Sequence, residues 1–161
     1  MDKENLATYL NDHLAGSVMA LDLMKHLASE HAGTPLEGLL NGLHADVEAE
    51  RHVLQGLMDR LEIGESAPRK ASAWLAEKAV QFKLLVDDRA GGTLRLFESL
   101  EALSLGLEGK RSLLRALEAA SEVLPELRGL EYAHLERRSE EQRSRVEDVR
   151  LEAAKAAFSA E

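Results

Sequence analysis

The sequence predicts an all-α protein, an antiparallel bundle of four long helices. Leucines recur at intervals of three and four residues through most of the chain, which is the spacing of an amphipathic helix. No segment shows the alternating pattern of a strand, and aromatic residues make up only 4% of the 161 residues. A composition poor in aromatic and β-branched residues favours helix over sheet. We expect residues 1–161 to form a single helical domain.

The first helix is predicted from about Asp2 to Ala28, and the second helix from Pro35 to near Gly64. In each helix the apolar side chains return every three or four residues and so form one stripe. The first stripe consists of Leu6, Leu10, Leu14, Leu21, Met24 and Ala28, and the second of Leu36, Leu40, Leu43, Val47, Leu54, Leu57 and Leu61.

The turn between these two helices shows the strongest local signal in the chain. Gly33 suits the position after a helix, Thr34 suits an N-cap and Pro35 suits the first helical turn. Glu37 would complete a capping box with Thr34. Because so short a turn forces the second helix to return along the first, we expect an antiparallel hairpin.

The second half of the chain has further apolar stripes separated by breaks. An additional helix is predicted around residues 70–88, in the long connection between the two halves of the bundle. Thr93 caps the next long helix, which we expect to be interrupted at Gly106 and Gly109, with a kink before its last turns. Pro125 is predicted to open the final helix, which extends beyond Ala157.

Composition and charge exclude several classes of function. The chain has no cysteine, which excludes disulfides, thiolate nucleophiles, iron–sulfur clusters and cysteine-based zinc sites. A formal net charge of −9 argues against binding to nucleic acid, because such binding depends on neutralising phosphates. No apolar run approaches the roughly 18 residues that span a bilayer, and the first residues lack the pattern of a signal peptide. We therefore expect a cytoplasmic protein that binds neither nucleic acid nor membranes.

One motif, Glu131-x-x-His134 in the stretch LEYAHLERR, could supply two ligands to a metal ion. Residues three apart on a helix share a face, and both side chains fall near the apolar stripe when residues are placed at 100° intervals. Glu50 interrupts the apolar heptad between Val47 and Leu54, so it is also predicted to point inward. The candidate metal ligands are therefore Glu50, Glu131 and His134.

A hairpin, a long connection and a second hairpin with a Glu-x-x-His motif resemble the ferritin-like superfamily. The resemblance implies an antiparallel four-helix bundle. In the members that bind two iron ions, it also implies inward glutamates on two helices and Glu-x-x-His on the other two. Here Val53 stands where the second helix would have histidine, and Ser17 is the first-helix residue level with Glu50. The set of metal ligands is therefore incomplete.

Two functions from different classes can be argued from the residues, and a small-molecule pocket between helices is a third possibility, for which no residue pattern identifies the ligand. The favoured one is a ferritin-like protein without catalytic residues or cofactor, which acts through assembly, as a homodimer, or through a protein partner on the last helix. The alternative is a carboxylate protein that binds iron or another divalent metal, such as an oxidase, ferroxidase or metal store, with His13 as an additional ligand. In the absence of metal, Glu131 and His134 would form a buried hydrogen-bonded pair.

The last helix is polar beyond Leu135. Placed on the helix, the side chains that continue its inner stripe are Arg138, Glu141 and Arg145. This pattern indicates a polar, salt-bridged layer inside one end of the bundle, a helix end that meets a second subunit, or a helix end that extends into solvent.

Overall fold

The structure, a computed structural model, describes residues 3–65 and 92–159 together with the helical positions 77, 80, 81 and 84. In these residues it has four long helices and no strand, which confirms the all-α class. The helices are α1 (Lys3–Glu30), α2 (Pro35–Arg60), α3 (Thr93–Ser121) and α4 (Tyr132–Ser159), with a 3₁₀ turn at Pro125–Leu127. Apart from those four positions, the additional helix predicted over residues 70–88 lies outside the described residues. None of the described helices has the length and apolar character needed to cross a membrane.

The chain divides into two compact units, Met1–Gln81 and Phe82–Glu161, and each contains one helical hairpin. In the first unit, α1 and α2 are antiparallel. The start of α1 contacts the residues that follow α2. Asn11 donates a side-chain hydrogen bond to the carbonyl of Gly64 at 3.3 Å, and the Lys3 ammonium lies 3.7 Å from the Glu62 carboxylate. The buried apolar side chains include the predicted Leu10, Leu14, Met24, Leu40, Leu43, Val47 and Leu57.

In the turn before α2, the backbone conformation is as predicted from the sequence, but the capping hydrogen bonds are not. Gly33 has a positive φ of 80°, and α2 begins at Pro35, both as predicted. The Glu37 carboxylate accepts the N–H of Gly33 at 2.8 Å, one residue before the position that a capping box requires. The Thr34 hydroxyl donates back to the carbonyl of His31 and makes no cap hydrogen bond to α2. The predicted capping box is therefore wrong.

The second unit contains α3 and α4, which are also antiparallel. Glu101 contacts Arg150, Ser104 contacts Glu147, and further along α3 the partners fall progressively earlier in α4. Helix α3 runs unbroken through Gly106 and Gly109, contrary to the predicted interruption. A glycine inside a helix costs only about 1 kcal/mol relative to alanine, which burial of the surrounding leucines outweighs.

The connection before α4 also differs from prediction. Pro125 opens a 3₁₀ turn rather than the last helix, and Gly129 then takes a positive φ of 101°, which ends regular structure. Leu127 is fully buried. The hydroxyl of buried Tyr132, the first residue of α4, donates to the Leu127 carbonyl at 2.6 Å. The positions of α4 that face inward therefore differ from those predicted for a helix starting at Pro125.

We expect Gly106→Ala to raise the free energy of unfolding by about 0.5–1 kcal/mol, because alanine restricts the unfolded chain more than glycine does. Gly106 is an exposed position inside α3, and an added Cβ would meet no atom within 4 Å. Urea denaturation would measure the change. Gly33→Ala is the matched control with the opposite sign, since its φ is +80°. A less stable Gly106→Ala variant would contradict the expectation.

Candidate functional site

The predicted ligands Glu131 and His134 are both exposed, and Glu50 is partly buried on α2. Glu131 is the residue just before α4, where its carbonyl oxygen accepts the N–H of Leu135 at 3.0 Å. The inward direction predicted for Glu131 and His134 was therefore wrong, because it assumed a helix continuous from Pro125. Among the described residues, no three or more histidine, aspartate or glutamate side chains are grouped so that they could hold a metal ion. The metal-binding alternative remains a prediction.

Metal content per chain, measured by mass spectrometry after anaerobic loading with ferrous iron and desalting, would test that alternative. We expect no retained iron, since the set of ligands is incomplete. Glu131→Ala and His134→Ala variants loaded in parallel provide the controls. One or two irons per chain, lost in both variants, would establish a metal site and make oxygen chemistry the next assay.

The buried face of α4 is partly polar. Ser139 and Gln142 are each only 1% exposed and lie between Tyr132 and Val146 on the inner stripe. The side-chain oxygen of Gln142 accepts a hydrogen bond from the Lys110 ammonium on α3. A polar inner layer was one of the alternatives predicted for this helix, but with other members: Glu141 and Arg145 are exposed and Arg138 is only partly buried.

Beside this layer, charged side chains of α3 and α4 form a continuous row that we call the charged seam. Its members are Glu101, Ser104, Glu108, Arg111 and Arg115 of α3, and Glu136, Glu140, Arg143, Glu147 and Arg150 of α4. Near the connection, Arg111 lies 3.2 Å from Glu136 and 3.1 Å from Glu140. At the other end, Arg150 donates two hydrogen bonds to Glu147, at 2.9 and 2.8 Å, and one to Glu101 at 3.0 Å.

Hydrogen bonding shifts the pKa values of three groups in the charged seam away from neutrality. Hydrogen bonds from Arg150 and then from Ser104 lower the pKa of Glu147. Hydrogen bonding to Glu136 raises the pKa of Arg111, and hydrogen bonding to Glu147 raises that of Arg150. Groups whose pKa values move away from neutrality are poor proton donors and acceptors at neutral pH. Glu147, Arg111 and Arg150 are therefore charged at neutral pH, and each contacts the opposite helix.

The charged seam ends in an apolar surface that we call the end patch, formed by Phe97 of α3 and Leu151, Ala154 and Phe158 of α4. The two phenylalanine rings meet edge to face, with centroids 5.3 Å apart, and the Arg150 guanidinium lies 5.7 Å from the centroid of Phe97. Leu151 is 50% exposed and Phe158 is 72% exposed. A shallow, open depression along α4 adjoins them, lined by Asp148, Leu151, Glu152, Ala154, Lys155 and Phe158.

The sequence analysis did not identify the end patch. The sequence pattern that could have predicted this patch is the seven-residue spacing of Leu151 and Phe158. Both lie on a face of α4 away from Val146 and Ala153. Their partner Phe97 comes from a distant part of the chain, and only the register of the hairpin brings it to the same place.

The first unit has one titratable contact of note, between Tyr9 and His13 on α1. Their rings lie edge to face with centroids 4.7 Å apart. Burial lowers the pKa of His13 from its ordinary value of 6.5, and the neighbouring Asp12 carboxylate opposes this shift. Burial raises the pKa of Tyr9. The neutral form of His13 is therefore the one that the fold favours.

Because the folded state lowers the pKa of His13, we expect the protein to lose stability as the pH falls below 6.5. The unfolded chain takes up the proton first, so the full contribution is present above pH 6.5 and decreases until the folded state is also protonated. His13→Gln should flatten the slope of unfolding free energy against pH between roughly 7 and 5, by at most about 1.4 kcal/mol per pH unit. Urea melts across this range would measure it, with exposed His52→Gln as the matched variant. Unchanged slopes in His13→Gln would refute the assignment.

No protein-family model, curated protein or solved structure matches this chain.

Proposed function

We propose that this protein is a non-catalytic helical protein that acts through assembly or partner binding, with the end patch as its binding surface. The observation that supports the proposal is the exposure of Phe158 and Leu151 on the outward side of a helix whose inner side already packs. Contiguous exposed apolar surface on a soluble domain commonly marks a protein interaction site. The polar residues beside it suit the rim of such a site.

The charged seam supports the non-catalytic part of the proposal. Several of its arginines and glutamates pair across the two helices, and the pKa shifts of Arg111, Glu147 and Arg150 favour their charged forms. A catalytic site usually needs a group whose pKa lies near the working pH. A rigid hairpin that presents an apolar end suits recognition better than chemistry.

We further propose that the two hairpins belong to a ferritin-like four-helix bundle. Two antiparallel hairpins with helices of 26 to 29 residues, joined by one long connection, are the parts from which such bundles are built. Because the chain has no cysteine, pairs of engineered cysteines can be spin-labelled without background. Distances between labels on α1 and α3 that match side-by-side packing would support the bundle, and a broad distribution would contradict it.

The test of the proposed function compares Phe158→Glu with the wild-type chain in two measurements. If Phe158 is part of a binding surface, the substitution should leave the melting temperature nearly unchanged, because its ring is mostly in solvent. The same substitution should reduce concentration-dependent association in sedimentation velocity. Glu118→Gln, an exposed position of α3 far from the patch, is the control. A melting temperature lowered as much as by a core substitution would show that Phe158 belongs to the fold and would refute the proposal.

A further inference from the structure

We propose that the end patch binds a second copy of this chain, with the two α4 helices crossing antiparallel about a two-fold axis at Leu151. This inference rests on the proposed function, because it names the partner of the same surface. It is argued from five residues of α4 and the spacing between them.

The outward face of α4 has its own regular spacing. Ser144, Asp148, Leu151, Lys155 and Phe158 follow one another at intervals of four, three, four and three residues, and all five are exposed. That interval places side chains along one line of a helix and is the pattern by which helices pack on each other. Helix α4 therefore presents a second packing face, away from its buried residues Val146 and Ala153. Phe158 lies at the edge of this face, where its ring also meets Phe97 of α3.

The order of residues along this face is self-complementary. With a rise of about 1.5 Å per residue, Asp148 lies about 4.5 Å before Leu151 and Lys155 about 6 Å after it. In an antiparallel crossing centred on Leu151, Lys155 of one copy therefore comes level with Asp148 of the other, to within about 1.5 Å. The two-fold axis generates this opposite-charge pair twice.

The size of the side chains fits the same arrangement. Phe158 and Ser144 each lie seven residues from Leu151, on opposite sides of it. In the antiparallel crossing the large Phe158 ring thus meets the small Ser144 side chain of the other copy, which leaves room for it. The shallow depression along Asp148, Leu151 and Lys155 lies where the second helix would cross.

A parallel pairing of the same two helices is unfavourable. It would set Asp148 against Asp148 and Lys155 against Lys155, and like charges at contact distance oppose association. Within one chain, Lys155 already lies 2.6 Å from Glu152, so in the dimer the ammonium would bridge two carboxylates. Since a single helix crossing buries little surface, the dimer is expected to be weak and dependent on concentration.

The experiment combines charge exchange with cross-linking. Sedimentation equilibrium would give the dimer dissociation constant for the wild type, Lys155→Glu, and the double variant Asp148→Lys with Lys155→Glu. We expect Lys155→Glu to raise the constant by about tenfold, and the double variant to return it to within about twofold of the wild type. Leu151→Cys, in a chain with no other cysteine, should cross-link rapidly to itself through a short bifunctional thiol reagent, whereas exposed Ser112→Cys on α3 should not.

The possible failures are distinguishable. A dimer dissociation constant that is the same in both charge variants would overturn the antiparallel crossing. So would a Leu151→Cys variant that cross-links no faster than Ser112→Cys. Either result would leave assembly through another face. A chain that is monomeric at every concentration would overturn it as well. The proposed function is judged separately, by whether Phe158→Glu leaves the folded chain intact.

Discussion

Replacing Arg150 with alanine is expected to lower the free energy of unfolding by about 1–2 kcal/mol. The guanidinium makes three hydrogen bonds, two to Glu147 and one to Glu101, and hydrogen bonds to charged groups are the stronger ones. It also lies over the Phe97 ring, where a cation adds about 0.5–1 kcal/mol. Its side chain is only 20% exposed, so solvent screens these interactions incompletely.

Lys155→Ala is the matched control for Arg150→Ala. Lys155 pairs with Glu152 on the same helix, but the two side chains are 72% and 70% exposed, and such pairs contribute roughly 0–1 kcal/mol. Thermal unfolding of both variants would separate the charged seam from ordinary surface charge. A double-mutant cycle of Arg150→Ala with Glu147→Ala should show coupling between the two residues. Equal effects of Arg150→Ala and Lys155→Ala would mean that the charged seam does not stabilise the hairpin.

Leu127→Ala is expected to lower the free energy of unfolding by about 3 kcal/mol, the largest effect that we predict for this connection. Leu127 is fully buried although it lies in a 3₁₀ turn between two helices. Truncating a buried leucine loses the transfer free energy of its methyl groups and leaves a cavity. The loss should also loosen the start of α4, because the carbonyl of Leu127 accepts the Tyr132 hydroxyl. Urea denaturation would measure the first effect, and amide hydrogen exchange at the start of α4 would measure the second.

Val123→Ala provides the comparison in the same connection. Val123 is 78% exposed, so its truncation should change stability by less than about 0.5 kcal/mol. If Leu127→Ala were as mild as Val123→Ala, Leu127 would not anchor the connection. The burial of Leu127 would then not explain which residues of α4 face inward.

Much of the fold could be predicted from local patterns. Leucine spacing gave the helical class, and Gly33 with Pro35 located the start of α2, because both residues act through their own backbone conformation. The start of α4 could not be predicted in this way. Pro125 is equally suited to a 3₁₀ turn and to the first turn of an α-helix, and the choice depends on the burial of Leu127, which is a tertiary effect.

The wrong start of the last helix also caused the wrong prediction of the site residues on it. A helix begun too early turned the predicted inner stripe toward Glu131 and His134, whereas the stripe actually passes through Ser139 and Gln142. Buried polar side chains are nevertheless present, because polar residues occupy much of this segment. Which of them face inward depends on the apolar residues that locate the inner stripe. The prediction used Leu127 and Leu130, which precede α4 and therefore cannot locate it.

The charged seam also determines which alignment of α3 and α4 is allowed. Leucines repeat at every turn, so an apolar stripe alone would accept a hairpin that has slipped by one turn. Slipping α4 in one direction would bring Glu101 to Glu147, and slipping it in the other would bring Arg111 to Arg143. Either error replaces attraction with repulsion along the row, so misaligned hairpins should be short-lived during folding and the correctly aligned one should be kinetically selected.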